Sequence, residues 1–143
     1  MRMTLSLLLF ITARNSFYSM EKYLYVFVGG GFGSMMRYWL SGIVQRFAGS
    51  LFPYGTFSVN IIGCFLIGLF MSTFEERFLL NPGFRVFLTI GILGGFTTFS
   101  SFSYDTISLL RNAEYFHAIG NISLSLVCCL AATYFGLVFG KQL

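Results

Sequence analysis

The sequence predicts an all-α membrane protein of four transmembrane helices, the third of them broken mid-membrane. Three observations point there. Of 143 residues, 56% are apolar and only 10% charged, with a mean hydropathy of +0.77, whereas soluble domains carry roughly 25% charged residues. Four stretches reach the length of about 20 mostly apolar residues that a helix needs to cross a bilayer. The joints between them are short and polar, hold both prolines, Pro53 and Pro82, and leave no room for a soluble domain.

Residues 1–19 stand apart from this pattern. "MRMTLSLLLFITA" has a basic start and an apolar run of about 11 residues, too short to span a bilayer and similar to a signal peptide. A start at Met20 is the alternative, and the preferred one, because "MEKYLYVFVGG" opens the first span naturally. The domain boundaries are therefore a leader or upstream start at 1–19 and a single four-helix membrane domain at 20–143.

The first span, residues 23–44, contains Arg37 in its second half, where the side chain can snorkel to the far interface. Residues 54–74 supply 21 uncharged positions and residues 86–104 supply 19. Residues 115–140 supply 26, interrupted only by His117. The joints read "QRFAGSLFP", "EERFLLNPGFR" and "DTISLLRNAEY".

Orientation follows the lysine and arginine bias between the two sides. From Met20 onward, the side holding both termini carries Lys22, Arg77, Arg85 and Lys141, and the other side carries Arg37, Arg46 and Arg111. Four against three permits insertion in both orientations, which raises an antiparallel homodimer. Arg2 and Arg14 make it six against three, but they belong to the segment set apart.

Polar residues at membrane depth mark the candidate site. Asn60 lies a third of the way along the second span, with Thr56 one turn earlier on the same face. Cys64 and Gly68 form a small-xxx-small pair suited to close helix contact. In the last span Asn121, Ser125, Cys129 and Thr133 recur every four residues and form one stripe. One or two such residues serve as packing glue; four, with Asn60 on another span, resemble the wall of a pathway. In the third span, Gly94 and Gly95 permit a break, which survives at membrane depth only when buried or lining a cavity. A break frees carbonyls for a cation and amides for an anion. Thr97, Thr98, Ser100, Ser101 and Ser103 follow as hydroxyl donors. Phe99 and Phe102 lie three apart on one face, and aromatic edges are electropositive.

What is missing also discriminates. No Asp, Glu or Lys falls in the middle of a span, whereas proton-coupled transporters usually need an intramembrane carboxylate or histidine. A small dual-topology exporter of cationic drugs would need an embedded glutamate, and Glu75 and Glu76 lie at a span end. There is no nucleophile–base pair and no metal cluster, so the chain is not read as an enzyme. The basic residues are spread singly, which argues against nucleic acid. Cys64, Cys128 and Cys129 lack zinc or redox spacing and read as small hydrophobes. Donors without acceptor charges suit a small anion stripped of water and moving passively. The remaining rival is a non-transporting membrane subunit whose polar residues only join helices.

Three motifs, "GGGFGSMMRY", "YGTFSVNIIGCFLIG" and "GILGGFTTFSSFS", are together specific. In them the chain resembles the CrcB/Fluc fluoride channels from Tyr23 to its end. The resemblance implies a dual-topology, antiparallel homodimer in the cell inner (plasma) membrane, with two fluoride pores lined by both subunits. It implies that Asn60 donates its amide to fluoride, that Phe99 and Phe102 contact the ion by their ring edges, and that Arg37 lies near the aqueous vestibule. It also implies a structural sodium ion at the dimer centre, held by the backbone carbonyls of Gly94 and Thr97. Thr56, Ser125 and Asn121 complete the expected fluoride-contacting set. Two departures stand out: Ser101 replaces a threonine of the family's TTFSTF motif, and Asn121 and Cys129 occupy places where a tyrosine and a serine are common. The expectation is a passive channel that exports fluoride and lowers its cytoplasmic concentration.

Overall fold

The computed structural model describes residues 2–49, 51–77 and 81–142, with side chains over 20–49, 51–73 and 81–142. The side chains of the leader 1–19 and of Glu75, Glu76 and Arg77, and residues 78–80 of the second joint, lie outside the described residues. The described backbone is helical without strands.

Helix α1 runs Arg2–Ala48 and stops where Gly49 takes φ +100°, a left-handed conformation that glycine adopts without strain. The turn that follows is tied by Gln45, whose Nε2 donates to the Gly49 and Phe52 carbonyls (2.5 and 2.9 Å). Its Oε1 accepts from the Gly55 amide at 3.0 Å. Phe52 is buried there against Tyr54 and Phe57. Helix α2 then runs Tyr54–Arg77.

Helix α3 covers residues 82–96. Asn81 caps it by accepting from the Gly83 amide at 2.9 Å, with Pro82 in the first turn, a combination that favours helix starts. Its middle, Phe87–Leu93, is wound as a π-helix; the Gly94 amide reaches back five residues to the Thr89 carbonyl. The chain leaves helical geometry at Thr97 (φ −83°, ψ 157°) and Thr98 (φ −151°, ψ 115°). Helix α4, Phe99–Arg111, follows, and helix α5 is Tyr115–Gly140.

The break thus falls two residues beyond the glycines that were expected to cause it. Gly94 and Gly95 are both helical. Their pairing with α1 explains their small size: a Cβ on Gly95 would lie 2.5 Å from the Gly30 carbonyl oxygen. Gly91 likewise meets Gly29, where an added Cβ would sit 3.0 Å from its Cα. Gly29 lies against Phe87 and Gly91, and Gly33 against Ile92 and Phe96, so α1 and α3 run parallel. Helices α2 and α5 form the other parallel pair, with Phe65 against Gly136 and Leu69 against Gly140. Small residues let backbones approach closely where lipid supplies no hydrophobic drive between helices.

Among the described residues, three helical stretches are long and apolar enough to cross a membrane: Tyr54–Thr73, Pro82–Arg111 and Tyr115–Gly140. The second of these is the broken α3–α4 pair. Residues 23–44 are helical throughout, but Arg37 and a run of glycines dilute their apolarity below that of the other three. Few side chains are buried; Phe27, Phe99 and Phe116 are 79%, 79% and 86% exposed. Apolar exposure on this scale marks a surface for lipid or protein.

Candidate functional site

The site is organised around Thr98. Its amide donates to Asn60 Oδ1 at 2.8 Å, and its carbonyl accepts from Asn60 Nδ2 at 3.0 Å. One side chain on α2 therefore satisfies both backbone groups of a residue outside any helix, which would otherwise be orphaned at membrane depth. Thr98 in turn caps α4: its Oγ1 accepts from the Ser101 amide at 3.1 Å and also meets the Ser100 and Ser101 hydroxyls at 3.1 Å.

These bonds release particular carbonyls. In an unbroken helix the Thr98 amide would donate to the Gly94 carbonyl, and the Ser101 amide to the Thr97 carbonyl. Both amides are diverted, one to Asn60 and one to the Thr98 hydroxyl. The Gly95 carbonyl keeps a partner in the Ser34 hydroxyl at 3.4 Å. Gly94 is exposed, with only the Thr89 carbonyl within 4 Å of where a Cβ would point (3.9 Å). Oxygen donors of this kind suit a hard cation such as sodium. Among the described residues no three His, Cys, Asp or Glu side chains gather to offer an alternative metal site.

On one side of Thr98 lies a groove of about 420 Å³ between α2, α4 and α5. Asn60, Thr98, Phe99, Phe102, Ser125 and Cys129 line it, and none is charged. The rings of Phe99 and Phe102 stand 5.5 Å apart, tilted by 41°. Asn60 retains one N–H beyond its bond to Thr98, since an amide nitrogen carries two. Cys64 lines the groove opposite the stripe of α5, and all three cysteines are free and half-buried.

On the other side lies a vestibule of about 900 Å³, lined by residues that include Gln45, Arg46, Thr56, Asp105 and Glu114. Beside it is a recess of about 210 Å³ lined by residues that include Arg37, Thr98 and Ser101. Tyr38, Ser41 and Thr56 line both spaces. Thr98 is shared between recess and groove, so the residue at the break borders both a space that holds Arg37 and a space with no charged side chain.

The structure therefore divides the expected set. Asn60, Phe99, Phe102 and Ser125 come together at the groove, as does Thr97, while Arg37 borders the recess. Thr56 lies on the vestibule side, where it donates to Asp105 Oδ2 at 2.7 Å. Asn121 lies behind the wall: it is 1% exposed and donates to Thr106 Oγ1 at 2.9 Å. At the far end of the stripe, Thr133 bonds the Cys129 carbonyl and packs on Gly68. The four-residue spacing holds, but only Ser125 and Cys129 reach the groove. Asp105 and the clamped backbone of Thr98 were missed. The spacing of Asp105 beyond the hydroxyl run is visible in the sequence, but its partner Thr56 is 49 residues away.

Three helical stretches of membrane-crossing length around a donor-lined, uncharged groove define a multi-pass membrane protein. The comparison with known proteins makes this specific. A family model described as "CrcB-like protein, Camphor Resistance (CrcB)" matches residues 24–137, and the chain belongs to that family. It is 48% identical over 124 residues to the fluoride-specific ion channel FluC of Geotalea uraniireducens (strain Rf4). The protein of the same name from Geobacter sulfurreducens is 46% identical over 124 residues. Both alignments cover 87% of this chain and 100% of the relative. The Opitutus terrae protein of that name is 47% identical over 119 residues, covering 82% of this chain and 90% of the relative.

Proposed function

We infer that this chain is a fluoride-selective channel that lets fluoride leave the cytoplasm passively. The observation that carries the reading is the groove, which gathers Asn60, Ser125 and the Phe99–Phe102 pair with no charged side chain among its lining. Relatives 48% and 46% identical across their full length carry the name fluoride-specific ion channel, which makes the small anion fluoride. A bare anion in a dry site forfeits hydration on the order of tens of kcal/mol. Successive donors must replace it without holding the ion too tightly to leave. The spare Asn60 N–H, the Ser125 hydroxyl and the ring edges are such donors. The Ser125 hydroxyl is weakly engaged, reaching Asn121 Oδ1 at 3.4 Å, so it can turn toward an ion.

Passive export needs no coupling residue. Hydrofluoric acid is weak, crosses the bilayer neutral from acidic surroundings and ionises inside. A membrane potential of 100 mV, inside negative, then drives the monovalent anion outward by about 2.3 kcal/mol. Arg37 at the recess concentrates anions before they meet the groove. On this reading the chain sits in the cell inner (plasma) membrane, with residues 23–44 as its fourth span.

The working unit is an antiparallel homodimer. Support comes from the groove's open flank, the 79% exposure of Phe99, and the exposed face at Gly94. The carbonyls of Gly94 and Thr97 lack their helical donors, and two copies double the oxygen set, which suits a structural sodium ion at the dimer centre. Its positive charge, when bound, would hold the two breaks together.

Liposome efflux tests the channel reading: with potassium shunted by an ionophore, purified protein releases fluoride much faster than chloride. Folded protein without fluoride release overturns it. Tags at the C-terminus report the dimer's topology; accessibility from one side only contradicts the antiparallel arrangement. Replacing sodium by N-methylglucamine lowers dimer stability and efflux, and readdition restores both; indifference to sodium removes the ion from the account.

A further inference from the structure

The half of the α5 stripe that does not reach the groove carries a second role. Asn121 is 1% exposed, and both ends of its amide are engaged. Its Nδ2 donates to Thr106 Oγ1 at 2.9 Å, and its Oδ1 accepts from Ser125 Oγ at 3.4 Å. An amide nitrogen only donates, so the single Thr106 hydroxyl proton is left for its other neighbour. That neighbour is the Phe102 carbonyl, 2.8 Å away. A hydroxyl bonded to the carbonyl four residues back often bends a helix locally, and this bond falls on the carbonyl of a residue whose ring lines the groove.

Phe99 offers the internal contrast. Its carbonyl also accepts a hydroxyl four residues on, from Ser103 at 2.9 Å. Among the described residues, Ser103 makes no bond to another helix, whereas Thr106 is buried and anchored to α5 through Asn121. The two rings thus sit on one short helix, but only the carbonyl of Phe102 is tied through its hydroxyl partner to a neighbouring helix.

We propose that Asn121 is a positioning residue for Phe102: it fixes Thr106, which holds the Phe102 carbonyl and so sets the aspect of that ring on the groove. The inference rests on the channel reading, and it assigns Asn121 an indirect role rather than contact with the ion.

The test is the single-channel fluoride current of wild type, Asn121→Ala, Thr106→Val and Thr106→Ser in planar bilayers. Current amplitude per open channel does not respond to the yield or stability of the folded protein. Asn121→Ala and Thr106→Val each lower the amplitude roughly fivefold, the factor produced by about 1 kcal/mol of lost hydrogen bonding. The double variant is no worse than either single one, and Thr106→Ser, which keeps the hydroxyl, conducts like wild type. If Asn121→Ala does not fold, Thr106→Val and its serine rescue still decide the question. Conducting wild type with unchanged amplitudes in the variants overturns this inference alone. A wild type that carries no fluoride current overturns the channel reading and this inference together.

Discussion

The vestibule and the groove are built on opposite principles, and Thr98 stands between the groove and the recess beside the vestibule. The vestibule is wide, about 900 Å³, and admits Arg46, Asp105 and Glu114. The groove is about half that size and lined only by neutral donors, thiols, aliphatic side chains and two phenylalanines. Charges are tolerable where water hydrates them, and physiological salt screens them beyond a Debye length of about 8 Å. In a dry groove a full positive charge would trap the ion, and a negative one would repel it. The difference puts ionised side chains of both signs at the wide mouth and only neutral ones along the groove.

The largest effect should follow from breaking the junction itself. Asn60→Leu orphans the Thr98 amide and carbonyl, at about 1–3 kcal/mol for each buried group. It should melt at markedly lower temperature and reduce fluoride efflux to that of protein-free liposomes. Asn60→Asp sharpens the comparison: it still accepts from the Thr98 amide, so it should be the more stable of the two. Its negative charge on the groove wall should nevertheless block fluoride equally.

Next come the rings. Phe102→Ile and Phe99→Ile should each cut fluoride efflux roughly tenfold, as loss of about 1.4 kcal/mol of ring-edge interaction would. Size-exclusion profiles should stay unchanged. Equal efflux in wild type and both variants would remove the ring edges from the pathway.

Gly95→Ala probes the scaffold beneath both spaces. The new methyl would sit 2.5 Å from the Gly30 carbonyl oxygen, so backbone must shift, at about 1–3 kcal/mol. Thermal unfolding in detergent should show a lower midpoint; an unchanged midpoint would mean that α1 and α3 can separate freely.

The smallest effect belongs to the recess. Arg37→Gln should lower efflux roughly two- to threefold at low ionic strength, and the deficit should vanish at high salt. A deficit that persists at high salt would move Arg37 from the approach to the narrow path.

Much of this molecule is legible in its sequence. Three spans, the joints, Asn60, the phenylalanine pair and the four-residue stripe all follow from apolar run length and from polar residues placed where lipid offers no partner. Other features had no local signal. The break was expected at Gly94–Gly95, because glycine weakens helices, yet it lies at Thr97–Thr98. There Asn60, 38 residues away in sequence, replaces the bonds a helix would make. The glycines instead admit the α1 backbone. Thr56 was placed with Asn60 by helical spacing, but its partner Asp105 puts it on the other side of Thr98.

What the sequence by itself determined is the membrane as solvent, three of the spans, and the stock of neutral donors. Those depend on composition and period, which neighbouring residues carry. Tertiary structure alone decided which backbone groups lose their helical partners, which stripe residues face the groove and which of two similar rings is anchored. A hydrogen bond is chosen by whichever partner lies within about 3 Å, and here the partners come from other helices.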